Sequence, residues 1–380
     1  MSNPLTSKVL PVPQRLGSYS PDDVVFLLKD LSDAKLERPT EDREEAIQGG
    51  THYSEMLPVE YKPTPEYLKL FHETLEATAR KVARDAGIVS ERLAARHGTD
   101  FVLASLARAG TPIGILIKRY FRAVYGAELP HYSISIIRGK GIDENAVLYM
   151  LREHPNRRIQ FVDGWTGKGA IRNVLAEAKE TIHNKYGIEL DDDLAVLADP
   201  GRCSETFGTR EDFLIPSACL NSTVSGLMSR TVLRDDLIGP DDFHGAKYYQ
   251  EWLEDDVSNL FVDRVCQYFA EIQQEAKAEA ERLENLPEAN RSTWQGMKDI
   301  ARIQQDYGIA DVNLVKPGVG ETTRVLLRRV PWKILVDDLN NPNLRHILLL
   351  AQDRGVPVEV YPGLTYSCCG IIKPLSGGQS

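Results

Sequence analysis

The chain has 380 residues, 42% of them hydrophobic and 26% charged, with a formal net charge of −10. That length exceeds what one hydrophobic core organises, so two domains are expected, and the acidic balance excludes a nucleic-acid footprint spread over the whole surface. No apolar run approaches the roughly 18 residues of a membrane span, and MSNPLTSKVLPVPQRLGSYS lacks the charged start and apolar core of a secretory signal, so a cytoplasmic protein without a membrane partner is expected.

Ser20, Pro21, Asp22 and Asp23 combine a capping oxygen, an early proline and first-turn acids, which predicts a helix over 21–34. A polar stretch from Glu37 to Tyr61, punctuated by Gly49 and Gly50, precedes a helical pattern from Pro63 to Gly87. His52, Tyr53 and Glu55 form a polar cluster there, read either as a solvated loop or as a lid, and residues 1–95 are taken together as a helical and lid region. The core sheet is expected to begin near Asp100 with FVLASLA, followed by the loop Arg108–Thr111 and a helix over 112–125. Further strands are predicted at 131–137, 158–162 and 193–199, with helices at 144–153 and 171–186. Strands alternating with helices at this spacing imply a parallel sheet joined by right-handed crossovers. This α/β domain is placed at 96–285, ending in a helical stretch from Trp252 to Glu284 and the break LPEANRS.

The sharpest chemical signal is FVDGWTGKGAI, because a strand running into a glycine-bearing turn and a helix aims backbone N–H groups at one point, where phosphates bind. Asp163 ends the strand, Gly164, Gly167 and Gly169 permit close approach, and Thr166 and Lys168 add a hydroxyl and a positive charge. The spacing matches neither GxxxxGK[ST] nor GxGxxG. A carboxylate beside such a cradle suits sugar hydroxyls or a magnesium shell. The first strand also ends in a polar loop with Arg108 and Gly110, and in a parallel sheet such loops gather on the carboxyl edge.

This order of parts resembles type I phosphoribosyltransferases. The resemblance implies that Arg108, Ala109, Gly110 and Thr111 hold pyrophosphate, that Arg138 and Lys140 belong to a mobile loop, and that Asp163, Gly164 and Thr166, Gly167, Lys168, Gly169 and Ala170 hold ribose 5-phosphate. Arg108, Arg138, Lys140 and Asp163 would be catalytic, with Mg2+ at Asp163, phosphoribosyl pyrophosphate or a related phosphosugar as donor and a nucleobase-like acceptor near Asn221, Ser222, Thr223, Ser225 and Arg230. Gly164 stands where that family has a second acid. Over residues 40–235, GTHYSEMLP, HYSISIIRGKGID, FVDGWTGKGAI and LIPSACLNSTVSGLMSRTV are similar to the StiP family of bacterial tellurite-resistance and stress operons, described both as phosphoribosyltransferase-like and as cysteine proteases.

Phosphoribosyl transfer is therefore the leading expectation, with a non-catalytic phosphosugar or RNA sensor and a cysteine protease as alternatives. Proteolysis needs a thiol with a histidine base, and Cys203 or Cys219 with His131, His183 or His244 are the candidates. The five cysteines show no CxxC spacing and suit buried, reduced thiols; Cys368 and Cys369 are open between reactive and buried roles.

Residues 300–380 carry nine basic and seven acidic side chains, so a polyanion partner belongs at this end of the chain. VNLVKPG, VGETTRVLLRR, WKILVDD, NLRHILLLAQDRG and VPVEVYP predict a small αβα sandwich. GVGETTRVLLRR resembles the RNA-gripping segment of Pelota-like proteins, which implies RNA contacts from Gly318, Gly320, Glu321, Thr322, Arg324 and Arg328.

Overall fold

The computed structural model describes residues 8–39, 42, 43, 46 and 50–373; Gly49, residues 1–7 and residues 374–380 lie outside them. Its first module is built on six strands: Val25–Phe26 (β1), Phe101–Leu106 (β2), His131–Ile134 (β3), Arg158–Trp165 (β4), Leu194–Ala198 (β5) and Phe207–Thr209 (β6). They lie in the order β1-β3-β2-β4-β5-β6, and every pairing is parallel. All six residues of β2 are buried, as expected of a strand covered on both faces. Helices Pro65–His97 (α1), Gly110–Tyr125 (α2), Glu144–Glu153 (α3), Ala170–Tyr186 (α4) and Phe269–Glu284 (α5) supply the cover.

From β2 the chain steps out to β3 and then returns past β2 to β4. The carboxyl ends of β2 and β4 are thereby adjacent, and the loops that follow them meet at this reversal point. Their contact is tight: a Cβ on Gly110 would collide with the Val162 carbonyl oxygen, and one on Gly164 would lie 3.1 Å from the Ala109 oxygen.

The second module follows helix Gln295–Tyr307 (α6). Strands Val315–Pro317 (β7), Pro331–Val336 (β8), Val358–Val360 (β9) and Cys368–Ile372 (β10) form a sheet in the order β7-β10-β8-β9, with helices Val319–Arg328 (α7) and Arg345–Asp353 (α8) between them in the chain. The five expected elements are present. Strand β10 was not anticipated, yet it lies between β7 and β8 and is antiparallel to both. Cys368 and Cys369 are neighbours on this strand, so their side chains leave opposite faces. Cys368 joins the large core while Cys369 packs with Ile300, Tyr366 and Ile371 in a smaller one.

Three expectations fail locally. The helix over 21–34 is absent: Ser20 starts a turn, accepting from the Asp22 and Asp23 amides, and the chain then extends into β1. Two Arg119 nitrogens hold the Asp23 carboxylate at 2.6 and 2.9 Å, and the pairing of β1 with β3 outweighs local helix propensity. Helix α1 runs ten residues beyond Gly87, whose missing side chain lets α5 approach; a Cβ there would meet Ile272 Cδ1 at 2.9 Å. The loop expected to carry Arg138 and Lys140 as a mobile flap is a tight hairpin between Ile136–Ile137 and Gly141–Ile142, with Gly139 and Gly141 at positive φ. Among the described residues no helix is long and apolar enough to cross a membrane.

Candidate functional site

Two neighbouring spaces open where the carboxyl edge of the parallel sheet faces the second module. A cavity of about 290 Å³ is lined by Asp163, Lys168, Arg138, Arg172, Lys316 and Glu321, among others. A groove of about 590 Å³ lies beside it and shares Lys316 and Glu321. Eight basic and two acidic side chains line the groove among the described residues, despite the acidity of the chain as a whole.

The expected phosphate loop is largely engaged by the protein itself. Thr166 Oγ1 donates to Asp199 at 2.6 Å, and the same carboxylate takes the Cys203 amide at 2.9 Å and the Arg210 guanidinium at 2.5 Å. The Gly167 carbonyl accepts from the Tyr366 hydroxyl at 3.0 Å, Lys168 Nζ reaches the Val312 carbonyl, and Gly169 lies against the Trp294 ring. Ala170 opens α4. Burial pushes the Asp163 carboxyl up to about 7, even though one of its oxygens accepts from the Gly164 amide at 2.7 Å. Burial, with Lys316 nearby, brings Lys168 down to about 8.

The expected pyrophosphate loop divides similarly. The Thr111 hydroxyl pairs with Ser133 at 2.8 Å in the core and is withdrawn from any ligand. Arg108 instead enters the groove, where it donates to the Met228 carbonyl at 3.1 Å and lies 3.9 Å from Glu60. Arg138 lines the cavity, but Lys140 lies on a separate one with Glu144 and Glu177 and is not part of the site. Tyr53 links the hairpin to the groove: its hydroxyl accepts the Arg138 amide at 2.8 Å, while the guanidinium groups of Arg138 and Arg230 lie 5.5 and 5.7 Å from its ring.

Asn221, Thr223 and Arg230 line the groove, whereas the Ser222 hydroxyl is turned to Glu60 and that of Ser225 to the Asn221 carbonyl. Burial and the neighbouring Arg108 lower Arg230 to about 10.

The Pelota-like segment is turned inward. Asp212, just after β6, receives the Val319 amide on one carboxylate oxygen and the Ser367 amide on the other, each at 2.9 Å. An acid of the first module thus caps the first turn of α7. Gly320 faces Ala218, Thr322 is buried, and Arg324 bonds both the Ala218 carbonyl and Glu321. The expectation that Gly318, Gly320 and Thr322 contact RNA is therefore corrected, since they form the joint between the modules. Arg324 and Arg328 remain on the groove, Arg328 with its guanidinium 4.7 Å from the Tyr67 ring centroid.

Among the described residues, neither suggested cysteine nucleophile is hydrogen-bonded to a histidine. His131 is held by Ser105 and the Asp23 carbonyl, His244 by Ser135 and His183 by Glu189. Burial raises the Cys203 and Cys219 thiols to about 12 and keeps them protonated. Glu60, Asp212, Trp294, Lys316 and Tyr366 were missed by sequence reasoning. They are distant in the chain; no predicted element or motif marked Glu60, Asp212, Trp294 or Tyr366, and Lys316 lay within the expected strand VNLVKPG with no role assigned to it.

The fold and site define a parallel α/β module followed by a smaller α/β module, with a groove rich in basic side chains between them. Residues 17–266 match a family model described as "Tellurite-like stress resistance cysteine protease StiP", and residues 294–374 match the PELOTA RNA binding domain. A relative from Acinetobacter baylyi named "Cysteine protease StiP" is 32% identical over 353 residues, which cover 90% of either chain. The chain belongs to the StiP family. These findings overturn the expected phosphoribosyltransferase: the matched family is named for a cysteine protease, a hydrolase, and no match supports a glycosyltransferase using phosphoribosyl pyrophosphate and a nucleobase.

Proposed function

We propose that this protein binds RNA in the groove between its two modules, as the RNA-engaging component of a stress-resistance function. The carrying observation is the excess of basic over acidic side chains lining the groove. Arg108 is destabilised as a cation by burial and by Arg324 and Arg328, and Arg230 by burial and by Arg108, Arg43 and Arg138. Glu60 faces Arg108, Glu321 pairs with Arg324 and Asp255 with Lys62, and the repulsion and desolvation that remain at Arg108 and Arg230 are what ligand phosphates relieve. Tyr61, 73% exposed at the rim, offers a ring for base stacking.

The test is fluorescence anisotropy with a labelled single-stranded RNA over a range of salt. Replacing both Arg328 and Arg329 by Glu is expected to weaken binding at least about tenfold and to flatten the salt dependence by about 0.7 for each phosphate that the variant no longer neutralises. Equal affinity of wild type and variant refutes the groove assignment. Magnesium would find one carboxylate in Asp163, and no group of three or more His, Cys, Asp or Glu suited to a metal exists among the described residues. It therefore belongs with ligand phosphates rather than in a protein cage.

A second reading, cysteine-dependent hydrolysis, draws on the relative's name and on the position of Cys203 beneath the phosphate loop, where a side chain on Gly169 would lie 3.1 Å from its sulfur. A nucleophilic role requires this thiol to become exposed and ionised. Iodoacetamide labelling followed by peptide mapping decides: rapid modification of Cys203 at neutral pH supports hydrolysis. Protection until denaturant is added, the outcome expected from its burial, removes Cys203 as nucleophile.

A further inference from the structure

The groove changes character along its length. At the rim, Tyr61, Arg328 and Arg329 are exposed. At the floor, Thr223 is only 1% exposed, and Arg108 and Glu60 retain 18% and 6% of their side-chain surface. A terminal phosphate reaches such a floor with one strand in the groove, whereas an internal phosphodiester needs the strand both to enter and to leave it.

Two polar atoms of groove-lining residues have no hydrogen-bond partner among the described residues. Thr223 Oγ1 and Arg230 Nε are buried without a hydrogen bond, although both residues line the groove. A buried hydroxyl and a buried guanidinium N–H left unsatisfied each carry a desolvation cost that a ligand oxygen removes. Arg108 adds donors beside them, since only one of its contacts is a close protein hydrogen bond, to the Met228 carbonyl. Glu60 places one carboxylate here, with one oxygen accepting from the Ser222 amide and hydroxyl at 3.3 Å and the other 3.9 Å from Arg108, and the guanidinium groups of Arg108 and Arg230 outnumber it.

We propose that the floor formed by Arg108, Arg230 and Thr223 binds a terminal phosphomonoester of RNA, so that the groove selects phosphorylated RNA ends over internal segments. This inference rests on the RNA-binding reading above. A phosphomonoester has three unesterified oxygens and close to two negative charges at neutral pH, against two such oxygens and one charge for a phosphodiester. The extra oxygen and charge match the unsatisfied donors and the excess of arginine. The exposed rim then follows the first nucleotides, with Tyr61 placed to stack on a base and Arg328 and Arg329 on the phosphates that follow.

The test compares one labelled RNA sequence with a 5′-phosphate, a 3′-phosphate or hydroxyls at both ends, bound to the full chain in equilibrium anisotropy. A phosphorylated end is expected to bind about tenfold more tightly than the hydroxyl form. Arg230→Gln is expected to abolish that preference, bringing phosphorylated and hydroxyl-ended RNA to equal affinity, with the hydroxyl-ended RNA also weakened by the lost charge. Thr223→Val, which keeps the side-chain shape, reduces the preference with an unchanged circular-dichroism melt. Equal binding of all three RNAs overturns the end-recognition proposal and leaves the RNA groove standing; absence of binding by any of them removes both. Competition with a nucleoside monophosphate separates a free metabolite from an RNA end. Displacement at concentrations similar to those of the phosphorylated oligonucleotide shows that the site serves the small molecule and overturns the RNA part of the proposal.

Discussion

A single methyl group on Gly169 tests whether the phosphate loop is locked against the second module. Gly169 has a φ of 81°, and a Cβ there would run into the Trp294 ring and approach Cys203 Sγ to 3.1 Å. The left-handed backbone costs a non-glycine residue about 1–2 kcal/mol, and overpacking a rigid contact adds about 1–3 kcal/mol, so Gly169→Ala should lose about 2–5 kcal/mol. Gly167 provides the control two residues earlier: its φ is not in the left-handed region, and a methyl group added there would meet nothing within 4 Å. Gly167→Ala should therefore change stability by less than about 0.5 kcal/mol. Urea unfolding followed by tryptophan fluorescence, to which Trp294 contributes as one of four tryptophans, compares the two. Similar midpoints for both variants, or a larger loss for Gly167→Ala, would refute the packing assigned to this loop.

Removing the Asp212 carboxylate leaves the Val319 and Ser367 amides buried without their acceptor, a cost of about 1–3 kcal/mol for each group. Asp212→Ala is expected to loosen the joint between modules and to speed tryptic cleavage after the exposed Arg291; an unchanged digestion rate counts against the clasp. Anion affinity should fall as pH rises from 6 to 9, because Asp163 gains its negative charge around 7 and Lys168 loses its positive charge around 8. RNA with hydroxyl ends, whose phosphodiesters do not titrate in this range, isolates the protein's contribution. Affinity that stays flat or rises with pH contradicts the assigned electrostatics.

Much of the parallel sheet was legible because apolar runs such as FVLASL alternate with amphipathic helices. The predicted helix near Ser20 failed because pairing to a strand over a hundred residues away, with Arg119 fixing Asp23, overrides a local capping signal. Strand β10 escaped detection because it is buried on both faces, and the period-two pattern vanishes in such strands. The site was legible in its pieces: Arg108, Asp163, Lys168 and Arg230 were all identified as ligand-facing candidates, and they line the two adjoining spaces. Their grouping into one pyrophosphate and one ribose-phosphate loop was not supported, because Thr111, Thr166, Gly167 and Gly169 spend their hydroxyls, carbonyl and open surface on contacts within the protein. The inward turn of the Pelota-like segment depends on Asp212, an ordinary acid in sequence that becomes decisive only when its two amide donors arrive from residues 319 and 367.

Strand β10 also sets an order of assembly. It is synthesised after β7, β8 and β9, yet it is the strand that joins β7 to β8. While the ribosome is still making residues 315–360, the second sheet has a gap at its centre, and Lys316 on β7 has no neighbouring strand. The wall that this module gives to the groove can form only once residues 368–372 emerge, so a nascent or prematurely ended chain can carry a finished parallel sheet while the second wall of the groove is still unmade.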